Sequence, residues 1–281
     1  MINWNESRRN SVGVQVKNSK WRPECSSKLM ITTRPGVEPA KSHTQRNLTV
    51  LLLAVAGGGV DAILISGFQV LTGAQTGNTV LLAVALAQGR FTAGFYSAVS
   101  VAAFVIGSVA AELVVLKRKP ASALGPMGWA LLAELVPLGA LCACWHSQAN
   151  PGLKMTAVLV ALAASAMGIQ SAAVLRIHGS PTTTYITGTL SKFSTDFTMW
   201  LFDRQAGARS MRRQVESNSA LLSDDWRILY GLDWPLYLGG GVASALLFSS
   251  VKEIALVLPM LAIIVAIVAG RARGDFAATK M

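Results

Sequence analysis

Asp61 is the residue of this sequence whose type and position best suit it to chemistry. It is an isolated carboxylate inside the apolar run 48–71, and carboxylates at membrane depth are tolerated where they face protein or a water-filled cavity. A carboxylate in such a place binds a cation or exchanges a proton. The alternative is a structural acceptor that ties the first helix to a hydroxyl or an amide elsewhere.

A polar break follows Asp61 in the sequence. Thr76-Gly77-Asn78-Thr79 interrupts the apolar sequence, and a fainter copy occurs at Thr187-Gly188-Thr189. At the start of a half-helix such side chains, together with free backbone N–H groups, favour anions or polar solutes. Threonine and asparagine are also good N-caps, so helix capping is the alternative, and the two roles are compatible.

Gln170 takes the place of Asp61 in the fainter copy. Gly168-Ile169-Gln170-Ser171 parallels Gly59-Val60-Asp61-Ala62, which predicts an acid and an amide on opposite sides of one cavity. The alternative is an interhelical hydrogen bond. The predicted set of substrate- or ion-binding residues is Asp61, Thr76, Asn78, Gln170 and Thr187.

Composition indicates an integral membrane protein. The 281 residues are 52% hydrophobic and only 14% charged, with a mean hydropathy of +0.46, and the apolar residues form long blocks. The lipid bilayer is therefore the expected partner. The net charge of +11 is concentrated in the first 47 residues and in short loops. This distribution is typical of topology signals, so we expect no nucleic acid partner.

The sequence lacks the motifs of the common enzyme classes. It has no GxSxG, HExxH, phosphate-loop or dinucleotide pattern, and its three His are scattered, so we expect neither an enzyme nor a cofactor. Cys142 and His146 are four residues apart and share a helix face, which makes a soft metal site conceivable. The favoured explanation is a small apolar cysteine within a helix and a histidine at its water-facing end, and no metal site is predicted.

The predicted fold is all-α, with about six transmembrane helices and two short TG-led helices in two pseudo-repeats. A disordered basic cytoplasmic tail, 1–47, precedes a first membrane half, 48–152, and a second, 153–281. The predicted spans are 48–71, 94–116, 127–146, 153–175, 229–250 and 254–270, and the TG-led segments are 76–88 and 181–202. Lys192 and Asp196, inside the second TG-led segment, are expected to pair across one helical turn.

Topology depends on whether the TG-led segments cross the membrane. If both re-enter, six crossings remain, the basic clusters near 117–119 and 204–213 fall inside, and both termini are cytoplasmic. The two halves then have opposite orientations, as in many secondary transporters. If both cross, there are eight spans and the 117–119 cluster lies outside. The positive-inside bias favours six crossings.

Four sequence blocks in order resemble one family. Gly58–Ala62, Thr76–Asn78, Ala166–Ala172 and Thr183–Thr189 are together similar to the YoaK-like family of uncharacterised bacterial multi-pass inner-membrane proteins. The resemblance covers about 48–270 and implies a multi-pass protein of the bacterial inner membrane. It implies no biochemical activity and no catalytic residues. Ser171 stands where the family usually has asparagine.

Two functions from different classes remain open at this stage. The first is a small transporter-like protein that moves a small polar or ionic solute, with a proton or cation, through a site between the two repeats. The alternative is a non-transporting scaffold or regulatory partner, in which the polar residues only lock helices together. The repeated pairing of a midspan polar residue with a TG break favours the transporter.

Overall fold

The computed structural model describes residues 41–117, 124–147, 151–175, 186–206 and 224–273. All of these belong to one compact unit, Glu38–Met281. Within these ranges the chain is helical apart from short connections, and no strand occurs. The predicted tail before residue 41 lies outside the described residues.

Eight α-helices are present in the described ranges. They are α1 Lys41–Phe68, α2 Gln75–Ala87, α3 Phe91–Lys117, α4 Gly125–His146, α5 Leu153–Leu175, α6 Ile186–Ala206, α7 Asp224–Val251 and α8 Val257–Arg273. A short 3₁₀ helix, Lys252–Leu256, joins α7 to α8. The helix α1 begins seven residues before the predicted span, because no proline or glycine after Lys41 interrupts the polar lead into the apolar run.

Five stretches are long and apolar enough to cross a membrane. They are Leu48–Phe68, Phe91–Lys117, Gly125–His146, Leu153–Leu175 and Leu229–Arg271. The last stretch contains two separate helices, α7 and α8. Each of them packs along α1. The predicted all-helical membrane architecture is confirmed. With 13 residues, α2 is about 20 Å long, short of the roughly 30 Å of a hydrocarbon core.

The core lies around α1 and α5. Their apolar windows are 67% and 72% buried, against 28% for α3. The helix α1 packs mainly against α7 and α8, and α5 packs mainly against α3 and α4. On the outer face of α3, Val105, Ile106 and Val109 are more than half exposed, as expected for side chains that face lipid tails.

Glycines set the distance between α1 and α7. A Cβ built on Gly58 would overlap the backbone carbonyl of Tyr237, and a Cβ on Gly240 would overlap the carbonyl of Val55. Glycine lets the two backbones touch at this crossing. Because α1 runs unbroken through 57–59, this glycine run serves close packing and does not break the helix.

A second crossing, between α3 and α5, is built the same way. A Cβ on Gly107 would overlap the carbonyl of Ser165, and a Cβ on Gly168 would overlap the carbonyl of Phe104. Ala103, Gly107 and Ala111 recur every four residues on α3, and all three are buried. Small residues again permit direct backbone contact.

Candidate functional site

The site is built around the carboxylate of Asp61, which is only 4% exposed. Its Oδ1 accepts hydrogen bonds from the backbone N–H of Thr72 at 2.6 Å, from the Thr72 hydroxyl at 2.8 Å and from the N–H of Gly73 at 2.7 Å. Because α1 ends at Phe68 and the following Gln69 takes a positive φ of 60°, the connecting loop 69–74 turns back onto its own helix. Asp61 therefore anchors this loop.

The other oxygen of Asp61 reaches a different part of the chain. The Tyr237 hydroxyl on α7 donates a hydrogen bond of 2.6 Å to Oδ2. Asp61 thus accepts four hydrogen bonds, which matches the acceptor capacity of an ionised carboxylate. Three of these bonds are at Oδ1 and one is at Oδ2.

Asn78 stabilises the same loop from α2. Its side chain is fully buried; Oδ1 accepts from the N–H of Leu71 at 3.2 Å, and Nδ2 donates to the carbonyl of Leu71 and, at 2.9 Å, to the Ser100 hydroxyl. Ser100 in turn donates to the Leu71 carbonyl at 2.8 Å. Asn78 therefore clamps the loop to α3. It does not cap α2, whose N-cap residue is Ala74.

A cavity of about 950 Å³ lies beside this network. Of the predicted binding residues, Asp61, Thr76 and Thr187 line it, whereas Asn78 and Gln170 do not. Most of its wall is apolar and comes from Ile65, Leu71, Phe104, Trp234, Leu238 and Val242. An apolar pocket of this size with a few convergent polar groups is typical of a small-molecule site.

Gln170 lies in the helical core. It is fully buried, and its Nε2 donates a hydrogen bond of 2.9 Å to the carbonyl of Leu53. This bond ties α5 to α1, which is the interhelical role given as the alternative in the sequence analysis.

Two residues near the site were not anticipated from the sequence. Tyr237 is one, and Asp233, one helical turn earlier on α7, is the other. The Asp233 side chain is fully buried, and neither of its carboxyl oxygens has a hydrogen-bond partner among the described residues. The buried Thr189 on α6 lies beside it. The available sequence signal was an aspartate four residues before a tyrosine, inside a stretch that is otherwise apolar from Leu229 onward.

Other polar side chains lie away from the cavity wall. Glu134 on α4 is fully buried, and no described residue donates a hydrogen bond to either of its oxygens. His146 Nδ1 lies 2.9 Å from Glu253 Oε1. Within the described ranges, no three His, Cys, Asp or Glu side chains converge as a metal site. Lys192 lies over the ring of Tyr230, with Nζ 5.4 Å from the centroid. The side chain of Asp196, its predicted partner, is outside the described residues.

Comparison with known proteins places this chain by family only. A family model described as "Protein of unknown function (DUF1275)" matches residues 49–269. No curated protein and no solved structure matches the chain.

Proposed function

This chain belongs to the DUF1275 family of proteins of unknown function, and we propose that it is a small transporter-like membrane protein. It binds a small polar or ionic solute in the 950 Å³ cavity and moves it across the bilayer without altering it chemically. The site lies between two repeats, 48–152 and 153–281. The membrane is the bacterial inner membrane, with both termini in the cytoplasm.

The single observation that carries this proposal is the composition of the cavity wall. Asp61 and Thr76 come from the first half, Thr187 and Tyr237 come from the second, and all four line one cavity. The Asp61–Tyr237 hydrogen bond of 2.6 Å joins the halves at the cavity wall. A polar site at the interface of two repeats, beside the starts of short helices, is the arrangement used by many secondary transporters.

The two glycine crossings support an internal repeat. At the α1–α7 crossing, a Cβ on Gly58 would overlap the carbonyl of residue 237, and a Cβ on Gly240 would overlap that of residue 55. At the α3–α5 crossing, a Cβ on Gly168 would overlap the carbonyl of residue 104, and a Cβ on Gly107 would overlap that of residue 165. Each crossing therefore has two reciprocal contacts, and in each helix the glycine and the contacted carbonyl are separated by three residues. This pattern pairs α1 with α5 and α3 with α7 as equivalent helices. Its register matches Asp61 with Ser171, so the sequence parallel between Asp61 and Gln170 is shifted by one residue.

The polar contacts of the TG-led helices extend the same correspondence. Asn78, at the start of α2, bonds to Ser100 on α3, and Thr189, at the start of α6, lies beside Asp233 on α7. The equivalence of α3 and α7 derived from the glycines matches Ser100 with Asp233. We accordingly propose six crossings, with α2 and α6 re-entering from opposite sides of the membrane.

Within this scheme the predicted binding residues have different roles. Thr76 and Thr187 present hydroxyl groups to the solute from the first turns of α2 and α6. Asp61 and Tyr237 form a contact that breaks and reforms when the halves move. Asn78 and Gln170 position the helices that carry the site.

The test is solute flux in proteoliposomes across a panel of small polar and ionic solutes. Thr76→Val removes one hydroxyl from the cavity wall and should lower the flux of the transported solute. Thr79→Val is the matched control, because Thr79 lies on the same helix, is exposed and does not line the cavity. Flux of no solute above empty liposomes, or equal loss in both variants, would contradict the proposal.

A non-transporting scaffold is the second candidate. The observation that favours it is the complete hydrogen bonding of Asp61 by Thr72, Gly73 and Tyr237, which suffices for a purely structural role. This candidate predicts that Asp61→Asn lowers the stability of the extracted protein, that a partner protein co-purifies from the native membrane, and that Thr76→Val has no effect on any flux.

A further inference from the structure

Three carboxyl groups are buried in the described part of the chain, and they differ in the hydrogen-bond donors around them. These are Asp61, Glu134 and Asp233. We propose that Asp233 is the proton-binding site of this protein: it is neutral in the described conformation and ionises when α6 moves away. The inference rests on the proposed function, because it identifies the proton as the ion coupled to the solute.

Asp61 is well supplied with hydrogen-bond donors. Four donor hydrogens, from Thr72, Gly73 and Tyr237, point at its two oxygens. Three of them go to Oδ1 and one goes to Oδ2, so these contacts tie the carboxyl group to the loop 69–74 and to α7.

Asp233 has the opposite surroundings. It is fully buried, both carboxyl oxygens are closed off from solvent, and the Thr189 hydroxyl is the polar group beside it. One hydroxyl does not compensate for removing a carboxylate from water, a transfer whose effective penalty is several kcal/mol. Binding a proton removes the charge and with it most of this penalty.

Among the side chains that the structure describes, the charged groups on the neighbouring helices do not supply a counter-ion. From α1, the nearest titratable group in the contact network is Asp61, reached through Tyr237, and it is itself an acid. From α6, the ammonium of Lys192 lies over the ring of Tyr230.

The remaining contacts of α7 are equally poor in cations. Lys252 and Glu253 of the 3₁₀ helix lie at the opposite end of α7, and α8 carries no charged residue between Val257 and Gly270. Among the side chains that the structure describes, none forms an ion pair with Asp233. A proton is therefore the cation that neutralises it.

Glu134 shows why burial alone does not define the site. It is as buried as Asp233, and no donor in the described ranges hydrogen-bonds to the oxygens of either group. Asp233 differs in its position: it adjoins Trp234, which lines the cavity, and it lies beside Thr189 in the first turn of α6, whose positive end stabilises negative charge.

The packing of α6 provides a route for the proton. Among the described helices, α6 packs substantially only against α7, and most of its described side chains are exposed. Asp233 is adjacent to Trp234, which lines the cavity, and one turn from Tyr237, which also lines it. A displacement of α6 opens the cavity at Thr187 and admits water to Asp233 in one movement, which couples the solute to the proton.

Infrared spectroscopy of the purified full-length protein in lipid tests this without any solute. Labelling aspartate with ¹³C at the side-chain carboxyl shifts the C=O band of any protonated aspartic acid and leaves that of Glu134 in place. At neutral pH we expect a shifted acid band in the wild type. Asp233→Asn should abolish this band, and Asp61→Asn should retain it.

Several outcomes would overturn the proposal. One is the absence of a shifted acid band in the labelled wild type, which needs no variant to fold. Others are survival of that band in Asp233→Asn or its loss in Asp61→Asn. Since no transport is measured, a protein that shows the Asp233 band but no solute flux refutes the proposed function and leaves the proton site standing.

Discussion

At the scale of single residues, Asp61 joins parts of the chain that are far apart in sequence. Its partner Tyr237 is 176 residues away, so no local pattern announces the contact. Sequence reasoning identified Asp61 because a carboxylate in an apolar run is unusual. It could not identify Tyr237, since tyrosine is unremarkable in a membrane helix and the partner depends on how α1 and α7 cross.

The contact between Tyr237 and Asp61 makes a first prediction. Tyr237→Phe removes the donor to Oδ2 and leaves that buried oxygen without its partner, which costs about 1–3 kcal/mol. The free energy of unfolding of the detergent-solubilised protein should fall by this amount. Tyr96→Phe is the control, because no side-chain hydrogen bond of Tyr96 is described. Equal effects of the two substitutions would argue against the contact.

The shared acceptor makes a second prediction. Thr72→Val removes the hydroxyl that donates to Asp61 Oδ1, whereas Thr72→Ser retains it. Combined with Tyr237→Phe, Thr72→Val should give a stability loss that differs from the sum of the single losses by roughly 0.5–3 kcal/mol, because both act on one carboxylate. A double-mutant cycle measures this difference, and strict additivity would show that the two donors act independently.

At the scale of helices, the sequence predicted most of the architecture. The end points of α5 were predicted to the residue, and those of α3 and α4 to within three residues, because long apolar blocks bounded by charged or polar residues leave few alternatives. The start of α1 was placed seven residues late, since polar residues carry no apolar period even when they continue a helix. The crossing partners of the helices could not be predicted, because they depend on tertiary packing.

The glycines at the helix crossings give a third prediction, with neighbouring residues as test and control. Gly240→Ala places a Cβ on the carbonyl of Val55, whereas a Cβ at Gly239 has nothing within 4 Å. We expect Gly240→Ala to lower the free energy of unfolding by about 1–3 kcal/mol through overpacking. Gly239→Ala should be neutral or raise it by roughly 0.5–1 kcal/mol, since alanine favours the helix.

An alanine substitution at the α3–α5 crossing, compared with one at the α1–α7 crossing, tests whether the two crossings are equivalent. Gly107→Ala, at the α3–α5 crossing, should destabilise the protein about as much as Gly240→Ala, because both place a Cβ on a backbone carbonyl. Differential scanning fluorimetry of the purified variants provides the comparison. A tolerated Gly240→Ala or Gly107→Ala would mean that the helices do not approach as described.

At the scale of the whole molecule, the cavity unites residues that the sequence analysis could connect only by analogy. It contains Asp61, Thr76 and Thr187, as that analysis predicted for one shared site. Asn78 and Gln170 share the motifs of these residues but hold helices in place instead. Motif membership therefore predicted the region of the site, while the direction of each side chain depended on the fold.

The central claim is that two oppositely oriented halves enclose this cavity. The most direct test is cysteine accessibility in intact cells, on a background without Cys25, Cys142 and Cys144, with single cysteines at Gln88, Ser122, Ser180 and Ser217. We predict labelling of position 88 from outside and of the other three only from inside. Labelling of position 122 from outside, with position 88 protected, would show that the TG-led helices cross and would contradict the inverted arrangement.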